Sequence, residues 1–512
     1  IPVQLEKIKI PWTSFLLLIP ILFFSSMTFI RAEPFSSLTN LLITLAALAL
    51  MAITLLSGAW YQFRVRDHLV NFFKFFLNEI IGGILFFARF KQENPEQKEN
   101  DEEAKTDTSD TQPDAAEPQA APRRARFIKK AAPYLRGILI ALPILLVLTA
   151  LLASADPVFN DRITHLFSWF EIDSLDEYIF RAAYITVLGY IILSALYFSL
   201  AESNKWQPDT QSQPFLKPIL GSIETIIILG AINLLFLAFV AIQFTYLFGG
   251  EVNINLQGFT YAEYARRGFA ELLAVAVISL VVFYILSMVT KRENAAKHWT
   301  FSILGVILVG LVGIILASAY TRLTLYEAAY GFTRLRTLTH IFMIWTGLLL
   351  ASIAILDLVR KMDRLALLLI FFTLGFGISV NILNIDQFIV QQNVTRSISN
   401  VQNDEPSALD AGYLFSLSYD AVPPLVDFFN DPATPDQIRD DIGGVLACRA
   451  SSIDINQKMD WTSWHYARSR GINLLNSLDE DLEAYPVIKE NQFVVVNGEM
   501  RSCRYYPEAP ID

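Results

Sequence analysis

Blocks of about twenty apolar residues recur along this chain and constrain its fold more than any other feature. Residues 15–30, 41–60, 137–153 and 301–319 are each long enough to cross a hydrocarbon core of about 30 Å as a helix. Hydrophobic residues make up 53% of the 512 and charged ones only 18%, which leaves too little polar surface to cover a water-soluble body of this size. In lipid every backbone polar group must be satisfied within the chain. Blocks of this length therefore read as helices, because barrel strands are shorter and alternate.

Walking the hydropathy places about nine spans, at residues 13–30, 38–60, 134–153, 182–200, 219–248, 268–289, 300–319, 340–359 and 365–383. A further block, 69–90, is interrupted by Lys74, Asn78, Glu79 and the Gly82-Gly83 pair and reads as a helix lying in the interface. The expected fold is an all-α polytopic membrane protein with a small, mainly helical C-terminal soluble domain ending in a β-hairpin. Its parts are 1–90, two spans and the interfacial helix; 91–133, a charged cytoplasmic linker; 134–384, a seven-span core; and 385–512, an extracytoplasmic domain. The chain begins at Ile1, and its first block lacks a small-residue cleavage site, so that block is expected to be an uncleaved span.

Basic residues near span ends are retained in the cytoplasm. Arg64, Arg66, Arg89, Arg123, Arg124, Arg126, Lys129 and Lys130 follow span two; Lys291, Arg292 and Lys297 precede span seven; Arg360, Lys361 and Arg364 precede span nine. With nine spans all three sets fall on one side. The N-terminus is then cytoplasmic and the C-terminal domain outside a cell membrane, with Arg322, Arg334 and Arg336 as exceptions to the rule on the outer side. The net charge of −10 comes largely from residues 93–117 and the tail, and it points to no nucleic-acid partner. Residues 92–126 carry no aromatic and no aliphatic side chain larger than Ala, and so cannot bury a core.

In the tail, Thr434, Pro435 and Gln437 have the pattern of a capping box with Pro at the first helical position, opening a helix to about Ser451. Residues 493–496, Asn497-Gly498 and 500–506 read as a hairpin with a type I′ turn. The chain's two cysteines, Cys448 and Cys503, lie on that helix and that hairpin, and an exterior location makes a disulfide the expected state. The other reading is two separate buried thiols.

Two polar segments stand out. Residues 260–271 place Glu263, Arg267 and Glu271 on one helix face beside Arg266, at the entry to span six. Residues 322–336 carry Tyr326, Tyr330 and Arg334 at helical spacing, with Glu327 on the adjoining face and Arg336 following. Charges at such depth are either paired for packing or face a wet cavity. Both segments are expected on the outer side, as one polar cluster for an anionic headgroup or solute, or as interfacial anchors. Glu224 begins span five as a proton-carrying group or as a headgroup-level residue. Asn381, Asn384 and Asp386 close span nine, and Gly313/Ala317 and Gly375/Ser379 have the spacing of close helix packing.

Phosphate-loop, nucleophile-elbow and zinc-protease signatures are missing, and the five histidines are dispersed, so neither a cofactor nor a metal site is expected. Residues 260–272, 325–336 and 410–425, the last with its Tyr413-Leu-x-x-Leu-Ser-x-Asp-Ala-Val-Pro run, resemble a bacterial membrane family known as domain of unknown function 4173. That resemblance implies a bacterial cell-membrane location and draws weight to the polar segments; it brings no activity. Three functions stay open: a transport-like role, a scaffold or sensing role with protein partners at the C-terminal domain, and a membrane-embedded enzyme on lipid-linked or anionic substrates. The enzyme would use Glu263 or Glu327 as base and Arg266, Arg334 or Arg336 to hold phosphate. No nucleophile or metal set can be named, which favours the first two.

Overall fold

The computed structural model describes residues 10–92, 156, 175–201, 203, 218–247, 269–291, 294–404, 406, 409–452, 463–488 and 493–503. Eight helices among them are long and apolar enough to cross a membrane, and the protein is an all-α polytopic membrane protein with a strand hairpin near the C-terminus. These eight are α1 (Trp12–Ile30), α2 (Pro34–Thr54), α4 (Leu175–Ala201), α5 (Ser222–Leu247), α6 (Phe269–Val289), α7 (Ala295–Tyr330), α8 (Arg334–Leu358) and α9 (Leu365–Leu383). They coincide with eight of the nine expected spans. The expected span at 134–153 lies outside the described residues, as does the linker. The block at 69–90 belongs to a single 28-residue helix, α3 (Val65–Gln92), which is not among the eight.

The chain divides into two units, residues 77–196 and residues 1–76 with 197–512. The smaller unit holds the second part of α3 and most of α4, where Glu177 and Arg181 pair one turn apart. Within the larger unit, polar contacts sort the helix ends onto two faces. On one face the Leu220–Thr290 bridge joins the start of α5 to the end of α6. There, too, the Asp357 carboxylate at the end of α8 accepts from Ser302 at 2.6 Å and from Ser287 at 3.3 Å. The ends of α1, α7 and α9 and the starts of α2 and α8 meet on the other face, where the candidate site lies.

The longest helix explains part of that second face. At 36 residues α7 extends about 54 Å, well beyond a hydrocarbon core, so its last turns carry polar residues out of it. The segment 322–336 is therefore a helix end, a three-residue turn and the next helix start. Gly331 in the turn has φ +81°, and a Cβ there would meet Asn393 Oδ1 at 2.8 Å and Arg396 at 2.9 Å. The reason for the crowding is α10 (Ile385–Gln402), which follows α9 after the single left-handed residue Asn384. Asn393 accepts from the Phe332 N–H at 2.7 Å and donates to the Phe332 carbonyl at 2.9 Å. Arg396 donates to the Ala328 and Ala329 carbonyls, placing a cation on the negative end of α7.

Beyond α10 come α11 (Ala411–Ser416), a 3-10 turn (Tyr419–Ala421), α12 (Val422–Asn430), α13 (Asp436–Ser451), α14 (Tyr466–Asn476) and α15 (Asp479–Leu482). They are followed by an antiparallel sheet in the order β1 (Val487–Ile488), β2 (Phe493–Val496), β3 (Glu499–Ser502). The expected hairpin forms, with Asn497 and Gly498 both at positive φ (52° and 81°) as a type I′ turn requires. The disulfide Cys448–Cys503 closes with its Cα atoms 5.5 Å apart. The expected capping box does not form. Pro435 is the N-cap rather than the first helical residue, and the Thr434 hydroxyl is already committed to the Phe428 carbonyl at 2.8 Å, closing the preceding turn. A single apolar core runs from Ile341 of α8 and Val380 of α9 through Val390 of α10 to Leu414, Leu425, Ile442 and Val494.

The expectation of close packing at small residues divides. Space at Gly375 is filled by the Trp345 ring, whose Nε1 donates to Ser379 Oγ at 3.1 Å. At Gly313 an added Cβ would meet nothing, so that position is not a contact among the described residues.

Candidate functional site

Three carboxylates are buried where the helix ends meet: Glu33 at 2% exposure, Asp386 at 0% and Asp420 at 5%. Each has a local reason to be there. Glu33 precedes Pro34 and caps α2, accepting from the Phe35 and Ser36 N–H groups at 3.0 and 2.6 Å. Asp386 lies in the first turn of α10, where acidic side chains suit the positive end of a helix. Asp420 sits in the 3-10 turn and accepts from the Ala32 and Glu33 N–H groups at 2.6 and 3.2 Å.

The counter-charges complete a network. Arg334 forms a two-pronged pair with Asp386, Nε to Oδ1 at 2.7 Å and Nη2 to Oδ2 at 2.6 Å, and lies 3.8 Å from Glu33. Its backbone N–H donates to the Tyr413 hydroxyl at 2.8 Å, and Asp386 also accepts from the Ser418 N–H at 2.6 Å. Arg31 donates to the Asn381 carbonyl at 2.9 Å and stands 3.9 Å from Asp420, while His465 Nε2 lies 3.2 Å from the Arg31 carbonyl. From α13, Arg449 donates to the carbonyls of Leu414, Phe415, Leu417 and Ser418 at 2.8 to 3.2 Å. Burial pulls its guanidinium down to about 10, against the partial support of Asp386. Burial likewise raises Asp420, opposed by the Ala32 N–H and Arg31. The result ties residues 410–425 to the ends of α1, α2, α8 and α9.

A second group lies between α7 and α8. Glu327 is 1% exposed, its Oε2 is 3.5 Å from His340 Nε2, and the imidazole lies tilted by 33° against the Tyr320 ring, centroids 4.3 Å apart. Glu327 Oε1, His340 Nε2 and Thr337 Oγ1 are buried with no hydrogen-bond partner among the described residues. All three residues line a cavity of about 430 Å³ whose walls are otherwise largely apolar and aromatic, including Phe332, Ile344 and Trp345.

The residues singled out from sequence are thus distributed over several places. Tyr326, Tyr330 and Arg336 do meet: the two rings are 5.0 Å apart, and the Arg336 guanidinium lies 4.0 Å over Tyr326 while donating to the Gly331 carbonyl. Arg334 turns away to Asp386, and Glu327 faces His340. Glu263, Arg266 and Arg267 lie outside the described residues; Glu271 is exposed in the first turn of α6. Glu224 is not the buried group of one expectation: it is exposed at the start of α5 and accepts from the Gly221 N–H. Glu33, Asp420, Arg449 and Arg31 were not singled out as site residues, although Arg31-Ala32-Glu33-Pro34, two opposite charges in a three-residue turn between spans, is a legible signal. Among the described residues no three His, Cys, Asp or Glu side chains stand together as a metal set.

A family model described as Domain of unknown function (DUF4153) matches residues 18–428. The match covers more than half of the chain, and the chain belongs to that family. It is this family, rather than the domain of unknown function 4173 that the polar segments resemble. The searches of curated proteins and of solved structures find no match.

Proposed function

We propose that this DUF4153 member is a non-enzymatic scaffold or sensing component of the bacterial inner membrane, with its N-terminus cytoplasmic and its C-terminal module outside. The observation that carries the reading is the buried Arg334–Asp386 pair, with Glu33, Asp420 and Arg449 around it, which makes the module and the helix ends one mechanical body. A module joined in this way transmits what happens between the helices to an outer surface where protein partners dock. The basic residues Arg64, Lys291, Arg360, Lys361 and Arg364 belong to the opposite ends of these helices, in keeping with a cytoplasmic location for that face. The disulfide in the module fits an oxidising compartment. The enzyme reading loses support because Arg334 is committed to Asp386 and Arg336 to Tyr326 and Gly331, so neither is presented to a phosphate beside Glu327.

The test has two arms. Cysteines introduced by Met500→Cys on the exposed hairpin and Lys361→Cys on the opposite face are labelled in cells with a membrane-impermeant maleimide. Labelling of the first in intact cells and of the second only after lysis is the expected result, and the reverse pattern inverts the topology. Reconstituted in vesicles, the protein is expected to pass no proton or alkali-metal current, whereas a current that disappears in Glu327→Gln replaces this reading with transport.

A further inference from the structure

We infer that the cavity beneath Glu327 and His340 binds a primary amine carried on a compact apolar or aromatic body. This inference goes beyond the scaffold or sensing reading and holds whichever protein partners the module has. It starts from three buried polar atoms of α7 and α8 that find no partner among the described residues: Glu327 Oε1, His340 Nε2 and Thr337 Oγ1. Thr337 and His340 are three residues apart on α8, so they share a face with Ile341 and Ile344, which also line the cavity. Glu327 projects onto that face from α7.

The atoms decide the ligand class. The carboxylate oxygen accepts only, the Thr337 hydroxyl accepts as well as donates, and His340 Nε2 accepts when the ring proton is on Nδ1; Glu327 Oε2 and His340 Nε2 stand 3.5 Å apart. An ammonium supplies three N–H donors and the positive charge that such a set lacks. A carboxylate or phosphate ligand would meet Glu327 with like charge. A neutral hydroxyl offers one donor for three acceptors. The walls supply the rest of the recognition: Tyr320, Phe332, Trp345 and Phe388 are among the lining side chains, and aromatic rings suit an organic cation. About 430 Å³ accommodates a small arylalkyl or alkyl amine, or an amine headgroup, but not the two chains of a whole lipid. Arg336 lies over the Tyr326 ring and donates to the Gly331 carbonyl; it acts on Glu327 through its charge and leaves Glu327 Oε1 without a hydrogen bond.

The experiment is calorimetric titration of the purified full-length protein in detergent with phenethylamine, and separately with 2-phenylethanol, its neutral counterpart of nearly the same shape. The amine is expected to bind at least about tenfold more tightly than the alcohol, and Glu327→Gln to abolish that difference. Thr337→Val, which keeps the cavity's volume, is expected to weaken the amine several-fold. Equal binding of the two probes by the unaltered protein overturns the inference even if neither variant folds, as does amine binding that survives Glu327→Gln in a folded protein. Repeating the titration in nanodiscs separates the sources of the amine. Competition by phosphatidylethanolamine but not phosphatidylcholine assigns the site to a lipid headgroup, and equal binding in both assigns it to a free amine.

Discussion

Glu327 and Asp386 are equally deep, at 1% and 0% exposure, and both lie where membrane helices end, yet their surroundings have opposite characters. Asp386 receives two N–H groups from Arg334 and one from the Ser418 backbone, so its charge is matched donor for acceptor. Glu327 has an imidazole at 3.5 Å, the charge of Arg336 acting on it without a hydrogen bond, and an oxygen with no hydrogen-bond partner among the described residues. Burying a carboxylate costs several kcal/mol unless it is paired and hydrogen-bonded. The two regions show one cost met in two ways. Around Asp386 it is offset within the fold and yields rigidity; around Glu327 it is left for a ligand to offset.

Substitutions in the two regions are therefore expected to differ in size, with a loss of stability in the first and none in the second. The largest loss is expected for Asp386→Asn, which leaves the half-buried Arg334 guanidinium without its counter-charge at a cost of about 3 kcal/mol, read as the shift of a thermal or denaturant transition. Arg449→Met is expected to cost about 2 kcal/mol by the same assay, since four carbonyls lose one charged donor. Glu327→Gln should instead leave stability unchanged or raise it by about 1 kcal/mol, because the amide buries less unmatched charge. A loss as large as that of Asp386→Asn would erase the distinction between the regions. Glu224→Gln, in neither region and exposed, sets the floor at within about 0.5 kcal/mol.

The pH dependence sharpens the same comparison. Burial raises the Asp420 carboxyl above its ordinary value. A carboxyl whose folded pKa lies above its unfolded pKa of 3.8 adds stability that is fully present below that unfolded value and is lost as pH rises through the folded one. Asp420→Asn is therefore expected to flatten the acid side of the stability profile, measured from pH 4 to 7, with the variant gaining relative to the unaltered protein as pH rises. An unchanged profile would remove Asp420 from the network's electrostatics.

Much of the architecture was legible in the residues because lipid imposes it: apolar runs such as 300–319 and 365–383 become helices with no need of tertiary information. The hairpin at Asn497-Gly498 was equally readable, since its turn demands two residues at positive φ. The site was less so. Spacing at 326, 330 and 334 groups Tyr326 with Tyr330, whose rings lie 5.0 Å apart, but a helical wheel cannot show that the helix ends at Tyr330 and that Arg334 starts another. Asp386 and Asp420 are 34 residues apart, and Arg31 lies 350 from its partner Asn381. Pairings over such separations are written in tertiary packing and leave no local pattern. Arg449, in the last turn of a surface-like helix, resembles an ordinary solvated cation until α11 is folded over it.

The most direct test of the claim that the network joins the C-terminal module to the membrane helices is hydrogen exchange by mass spectrometry on Asp386→Asn in detergent. The account predicts faster exchange together in 411–451 and in the first turns of α2 and α8, with α5 and α6 unchanged. Acceleration confined to α10, next to the substitution, would contradict it.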